Sequence, residues 1–80
     1  MLDSKQIDQL TEIFQTLFNM ADLELRDDLM AKDVPSWDSF NHVNLIINIE
    51  EEFGIRFTNE EVSSLQNVGE LKVLLAKKIS

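Results

Sequence analysis

Apolar residues recur at helical spacing along most of this chain. Ile7, Leu10, Phe14 and Leu17 share one face, and Ile13 and Phe18 widen it, which predicts an amphipathic helix from about Asp3 to Asn19. Asp3, followed three residues later by Gln6, has the spacing of a capping box, with Ser4 as a competing cap. Between Met20 and Asp38 the pattern breaks. Leu23, Leu25, Leu29, Met30, Val34 and Trp37 are scattered among acidic residues, and this reads as a long ordered connection with Leu25, Leu29 and Trp37 as its anchors to the core. Pro35 biases Val34 away from helical geometry. A second helix runs from near Ser39 to Gly54, where a residue without a side chain suits the left-handed position after a helix. Thr58 with Glu61 and Asn67 with Glu70 repeat the capping-box spacing. They open a short helix with Val62 and Leu65, and a longer one with Leu71, Leu74, Leu75 and Ile79. Lys77 and Lys78 complement the negative end of that last helix. No alternating strand pattern or internal repeat interrupts this order. The expectation is all-α: a four-helix bundle formed by a single domain over residues 1–80.

The second helix carries more apolar surface than one core requires. Leu45, Ile46, Ile49 and Phe53 form the core stripe, but Phe40, Val43 and Ile47 lie further round, so the apolar arc spans roughly 220° at about 100° per residue. Either the long connection or the first helix covers the second stripe, or a partner does. Glu50, Glu51 and Glu52 occupy the last turn, where the helix dipole disfavours negative charge by about 0.3–1 kcal/mol per group. Local stability leaves them unexplained. Glu50 and Glu51 border the second stripe, and an apolar strip with an acidic edge suits a basic partner surface. At the other end, Ser39 has two readings: a cap for the helix, or, if Asp38 takes that role, a hydroxyl free at the positive end of a helix dipole, where a phosphate ester is favoured.

Composition narrows the classes. The chain has 80 residues, 7 Lys or Arg against 15 Asp or Glu, no Cys, and a net charge of −8 with 44% hydrophobic residues. A chain of this size buries only about 60% of the surface its unfolded form exposes, so its core is small. Disulfides and cysteine-zinc sites are excluded. The negative field opposes nucleic acid and anionic lipid and favours proteins with basic docking surfaces. No apolar run approaches a membrane span, and the first twenty residues do not resemble a signal peptide; a cytoplasmic monomer is expected. A calcium loop fails: counting from Asp22, the third position is Glu24, the fifth Arg26 and the sixth, which needs Gly, is Asp27. His42 is alone and projects near the core stripe, so it is expected to be a hydrogen-bonded packing residue and not a metal ligand or general base. No nucleophile has a paired base, no glycine-rich phosphate loop is present, and the chain is too short to enclose a substrate pocket; it is not expected to be an enzyme.

The run Trp37-Asp38-Ser39-Phe40-Asn41-His42-Val43-Asn44-Leu45-Ile46, followed by Glu50-Glu51-Glu52-Phe53-Gly54-Ile55, resembles the acyl carrier proteins, whose hallmark is Asp-Ser-Leu at the start of a second helix. The resemblance extends from the first helix to Val68-Gly69-Glu70-Leu71. It implies a bundle of the acyl-carrier type whose Ser39 carries a covalent 4′-phosphopantetheine arm, transferred from coenzyme A by a phosphopantetheinyl transferase that Asp38 helps to recruit. The arm's thiol holds acyl groups as thioesters for enzymes of fatty-acid, polyketide or other specialised synthesis. Phe40, Val43, Ile47, Glu50 and Glu51 would dock those enzymes. The resemblance also implies an acyl cavity between the second and third helices, at Leu45, Ile49, Phe57, Val62, Leu65 and Leu71, several of them larger than is usual. Two departures stand out. Phe40 replaces the usual Leu, a variant also found in D-alanyl carrier proteins, and Asn41 and Asn44 stand at commonly acidic positions. The alternatives are therefore an aminoacyl carrier, or a carrier-like docking module that is never modified.

Overall fold

A computed structural model describes residues 2–79. Four α-helices and no strands are present among the described residues: α1 (Ser4–Phe18), α2 (Ser39–Phe53), α3 (Asn59–Ser64) and α4 (Val68–Ile79). The first helix starts as the local sequence demands. The Asp3 carboxylate accepts from the Gln6 amide at 2.8 Å while Gln6 Oε1 accepts from the Asp3 amide at 3.0 Å. It ends at Asn19, whose left-handed backbone (φ 53°) lets its amide return to Gln15 and Thr16. Gly54 closes α2 in the same conformation, with φ 66°. Thr58 and Glu61 complete the capping box of α3, at 3.1 and 2.8 Å. Lys78, in the last turn of α4, also bonds Glu61 at 2.8 Å. That ammonium, followed by the Thr58 amide, holds the Glu61 carboxyl below the usual carboxylate range.

The box expected at α4 forms only in half. Asn67 Oδ1 accepts from the Glu70 amide at 2.8 Å, but the Glu70 carboxylate passes over Asn67 and takes the Gln66 amide at 2.9 Å. Two further amides at this helix start, those of Val68 and Gly69, donate to the carbonyls of Leu29 and Asp27, both at 2.9 Å. The long connection therefore supplies the acceptors that the first turn of α4 lacks. Gly69 allows this approach, since a Cβ at that position would stand 3.0 Å from the Asp27 carbonyl oxygen. Lys72 reinforces the junction by donating to the Leu25 carbonyl at 2.8 Å and to Asp27 Oδ1 at 3.1 Å.

One core unites α1, α2, α4 and the long connection. Leu10, Phe14 and Phe18 of α1 meet Leu45 and Ile49 of α2 and Val68, Leu71 and Leu75 of α4. The connection adds Leu23, Leu25, Leu29, Val34 and Trp37, all buried, so its three expected anchors are joined by two more. It also contains a 3₁₀ turn at Ala31–Asp33, started by Asp33 Oδ2 accepting from the Met30 amide at 3.0 Å. Trp37 packs edge-on to Phe14 with ring centroids 5.4 Å apart and lies 5.7 Å from Phe18, which fixes the chain just before α2.

Candidate functional site

Asp38 occupies the N-cap position of α2 and its carboxylate accepts from the Asn41 amide at 2.8 Å. Of the two readings for the start of this helix, the structure takes the one in which Asp38 is the cap. Ser39 is left as the first residue of the helix, exposed, with no hydrogen-bond partner for its hydroxyl among the described residues. The Asn41 side chain steadies the approach by donating from Nδ2 to the Ser36 carbonyl at 2.7 Å, a bond that a carboxylate at that position could not make.

Beside Ser39 lies an open cleft of about 520 Å³. Its apolar floor consists of Trp37, Val62, Leu65 and Leu71, and its polar wall of Asp38, His42, Ser63, Gln66 and Asn67. Three of the six residues expected at an acyl cavity, Val62, Leu65 and Leu71, reach it. The other three do not: Leu45 and Ile49 are sealed in the core, and Phe57 is half-buried away from the cleft. His42 is a packing histidine with a defined role. The Trp37 indole N–H donates to His42 Nδ1 at 3.1 Å. Because an indole can only donate, Nδ1 must be the unprotonated nitrogen, and the ring proton sits on Nε2, 3.4 Å from the Val62 carbonyl. The two rings also stack, with centroids 6.2 Å apart.

Phe40, Val43 and Ile47 are 75%, 55% and 45% exposed, so neither the long connection nor α1 covers the second stripe of α2. The acidic run needs a correction. Local stability does account for part of it, because Glu50 Oε2 accepts from the Phe57 amide at 2.8 Å and ties α2 to the α2–α3 loop, while Glu52 accepts from Gln9 of α1 at 3.0 Å. Glu51 remains exposed beside the stripe. Among the described residues no group of His, Asp and Glu could hold a metal ion, and no helix is long and apolar enough to cross a membrane.

No protein-family model matches the chain. It is 38% identical over 39 residues to acyl carrier proteins of Arthrobacter sp. (strain FB24) and Paenarthrobacter aurescens (strain TC1), a stretch covering 49% of this chain. The match spans about half the length of those curated relatives, 48%. The solution NMR structure of a holo acyl carrier protein from Geobacter metallireducens superimposes with a TM-score of 0.86 at 38% identity, covering 92% of this chain and 85% of that one. The chain belongs to the acyl carrier protein family. In this acyl carrier fold the residues that sequence reasoning missed at the cleft are Ala31, Ser63, Gln66 and Asn67. They come from the 3₁₀ turn, α3 and the α3–α4 turn, and no local pattern in the sequence marks them as neighbours of Ser39. Trp37 and His42 stood in the motif itself, but their mutual bond depends on how the chain turns into α2.

Proposed function

We propose that residues 1–80 act as a carrier domain, not an enzyme, holding acyl groups on a 4′-phosphopantetheine arm at Ser39 for cytoplasmic biosynthetic enzymes. The observation that carries this reading is the exposed, unpartnered Ser39 hydroxyl at the N-terminus of α2, beside an aspartate already committed to capping. The residues fit the group: a phosphodiester at Ser39 Oγ would sit against the positive end of a 15-residue helix, with a cleft alongside for the rest of the arm. Attachment forms an O–P bond at Ser39 Oγ with loss of its proton, and breaks the pyrophosphate link of coenzyme A, from which adenosine 3′,5′-bisphosphate departs. When bound, the arm supplies the thiol that this cysteine-free chain lacks, and acyl groups are held on it as thioesters. Asp38 recruits the phosphopantetheinyl transferase. Phe40, Val43 and Ile47, with Glu51 and the outer side of Glu50, dock basic enzyme surfaces. With Asn41 and Asn44 in place of acidic residues, α2 offers fewer charges to such surfaces, which favours a specialised pathway, polyketide or other, over general fatty-acid synthesis.

The test is intact mass after incubation with coenzyme A and a broad-specificity transferase. One pantetheine adduct is expected on the wild type and none on Ser39→Ala. An unmodified wild type, under conditions that label another carrier, would replace this reading with a docking module that uses the α2 stripe alone.

A further inference from the structure

The cleft beside Ser39 ends at a barrier. Trp37 from the long connection, His42 from α2 and Val62 from α3 are joined in series, by the indole N–H on Nδ1 at 3.1 Å and Nε2 against the carbonyl at 3.4 Å. The second contact crosses the seam between α2 and α3, and the first ties the long connection to the start of α2. Behind them the interior is filled: Phe14, Leu45 and Ile49 have no exposed surface, and Trp37 stands edge-on to Phe14 at 5.4 Å. Driving a chain through the seam would part His42 from the Val62 carbonyl and displace the indole N–H from Nδ1, leaving polar atoms without partners where no buried side-chain nitrogen or oxygen among the described residues lacks one now. In front of the barrier the cleft is mixed in character. Its floor is apolar, but the Ser63 hydroxyl and the Gln66 side-chain amide on its wall make no hydrogen bond among the described residues.

We propose that the Trp37–His42–Val62 series is a gate that keeps the α2–α3 seam shut, so that the cargo tethered at Ser39 is a short acyl group with a polar substituent, held in the open cleft. This rests on the carrier reading above. The gate excludes a long alkyl chain from the core, and Ser63 and Gln66 bond the oxygen or nitrogen of a hydroxy-, oxo- or amino-acyl unit. His42 is a positioning residue in this arrangement, since it acts by holding Trp37 and α3 in place.

The experiment loads the full chain with pantetheine arms bearing non-hydrolysable 3-hydroxybutyryl or dodecanoyl groups, and intact mass confirms one adduct before anything else is measured. In the wild type, dodecanoyl is expected to leave the melting temperature and the Trp37 indole N–H resonance where they stand in the unacylated form, and 3-hydroxybutyryl to shift the resonances of Ser63 and Gln66. In His42→Ala, dodecanoyl is expected to raise the melting temperature by about 4 °C or more as the chain enters the core. His42→Gln, whose side-chain carbonyl can accept the indole N–H, is expected to restore wild-type behaviour. A dodecanoyl-dependent rise in the wild type with a displaced indole resonance would overturn the gate. Unmoved Ser63 and Gln66 resonances would overturn the polar-cargo assignment. If His42→Ala fails to fold, the wild-type and His42→Gln comparisons decide the matter alone. A missing adduct would remove the carrier reading and the gate with it, and the mass spectrum shows that before any melting curve is recorded.

Discussion

Asp38 has two roles at one carboxylate, and two substitutions separate them. As the N-cap of α2 it accepts from the Asn41 amide at 2.8 Å. Asp38→Ala removes that bond and the charge together, and loss of an N-cap costs about 1 kcal/mol, within a range of about 0.5–2. For a chain of 80 residues that corresponds to a fall in melting temperature of about 4–8 °C. Asp38→Asn keeps an equally good cap and removes only the charge. Its cost is the lost attraction to the helix dipole, about 0.3–1 kcal/mol and toward the lower end because Asp38 is exposed. Thermal unfolding gives the stability of both variants, and the initial rate of adduct formation by intact mass gives their modification. Proposed recruitment of the transferase by the Asp38 charge requires both variants to load slowly, including the nearly stable Asn form. If Asp38→Asn loads at the wild-type rate, Asp38 is only a cap and the recruitment role is refuted. If Asp38→Ala unfolds at the wild-type temperature, the capping geometry itself is wrong.

Ile47→Glu is expected to slow transferase loading while changing stability by about 1 kcal/mol, since the side chain is only partly covered; a loss above about 3 kcal/mol would make Ile47 a core residue. Gly69→Ala is expected to destabilise by about 1–3 kcal/mol, because the new methyl must push the Asp27 carbonyl from 3.0 Å and strain the bond that its own amide makes there; wild-type stability in urea unfolding would refute the close approach. Lys78→Met is expected to raise the titration midpoint of Glu61, followed by NMR of its side-chain carboxyl. The folded carboxyl titrates below its unfolded value, so its stabilising contribution is present above the unfolded pKa and is lost as pH falls through the folded one; the variant lacks the Lys78 share of it.

Helix starts were legible in the residues because a capping box is an i, i+3 arrangement that needs no distant partner, and Asp3 with Gln6 and Thr58 with Glu61 form as their spacing implies. Where a third group competes within the same turn, spacing alone fails: Glu70 chose the Gln66 amide over that of Asn67. The Asp-Ser pair was equally visible, but two residues able to cap stood side by side there, and only the backbone path into α2 assigned the cap to Asp38 and left Ser39 open. The acidic run shows the same limit, since the partner of Glu50 is seven residues away across a loop and that of Glu52 lies on α1, forty-three residues away.

The sequence by itself determined the helical class, the order and approximate ends of the helices, the apolar excess on α2 and the residue types available at its start. These follow from periodicity and from bonds within three or four positions, which a linear pattern records. The tertiary structure decided which half of the α2 arc faces water, which residues surround Ser39, and that Trp37, His42 and Val62 meet in series. Those outcomes depend on where the long connection lays its backbone against α4, and that path is set by the joint packing of five scattered side chains and two amide bonds to α4, with no spacing of its own to betray it.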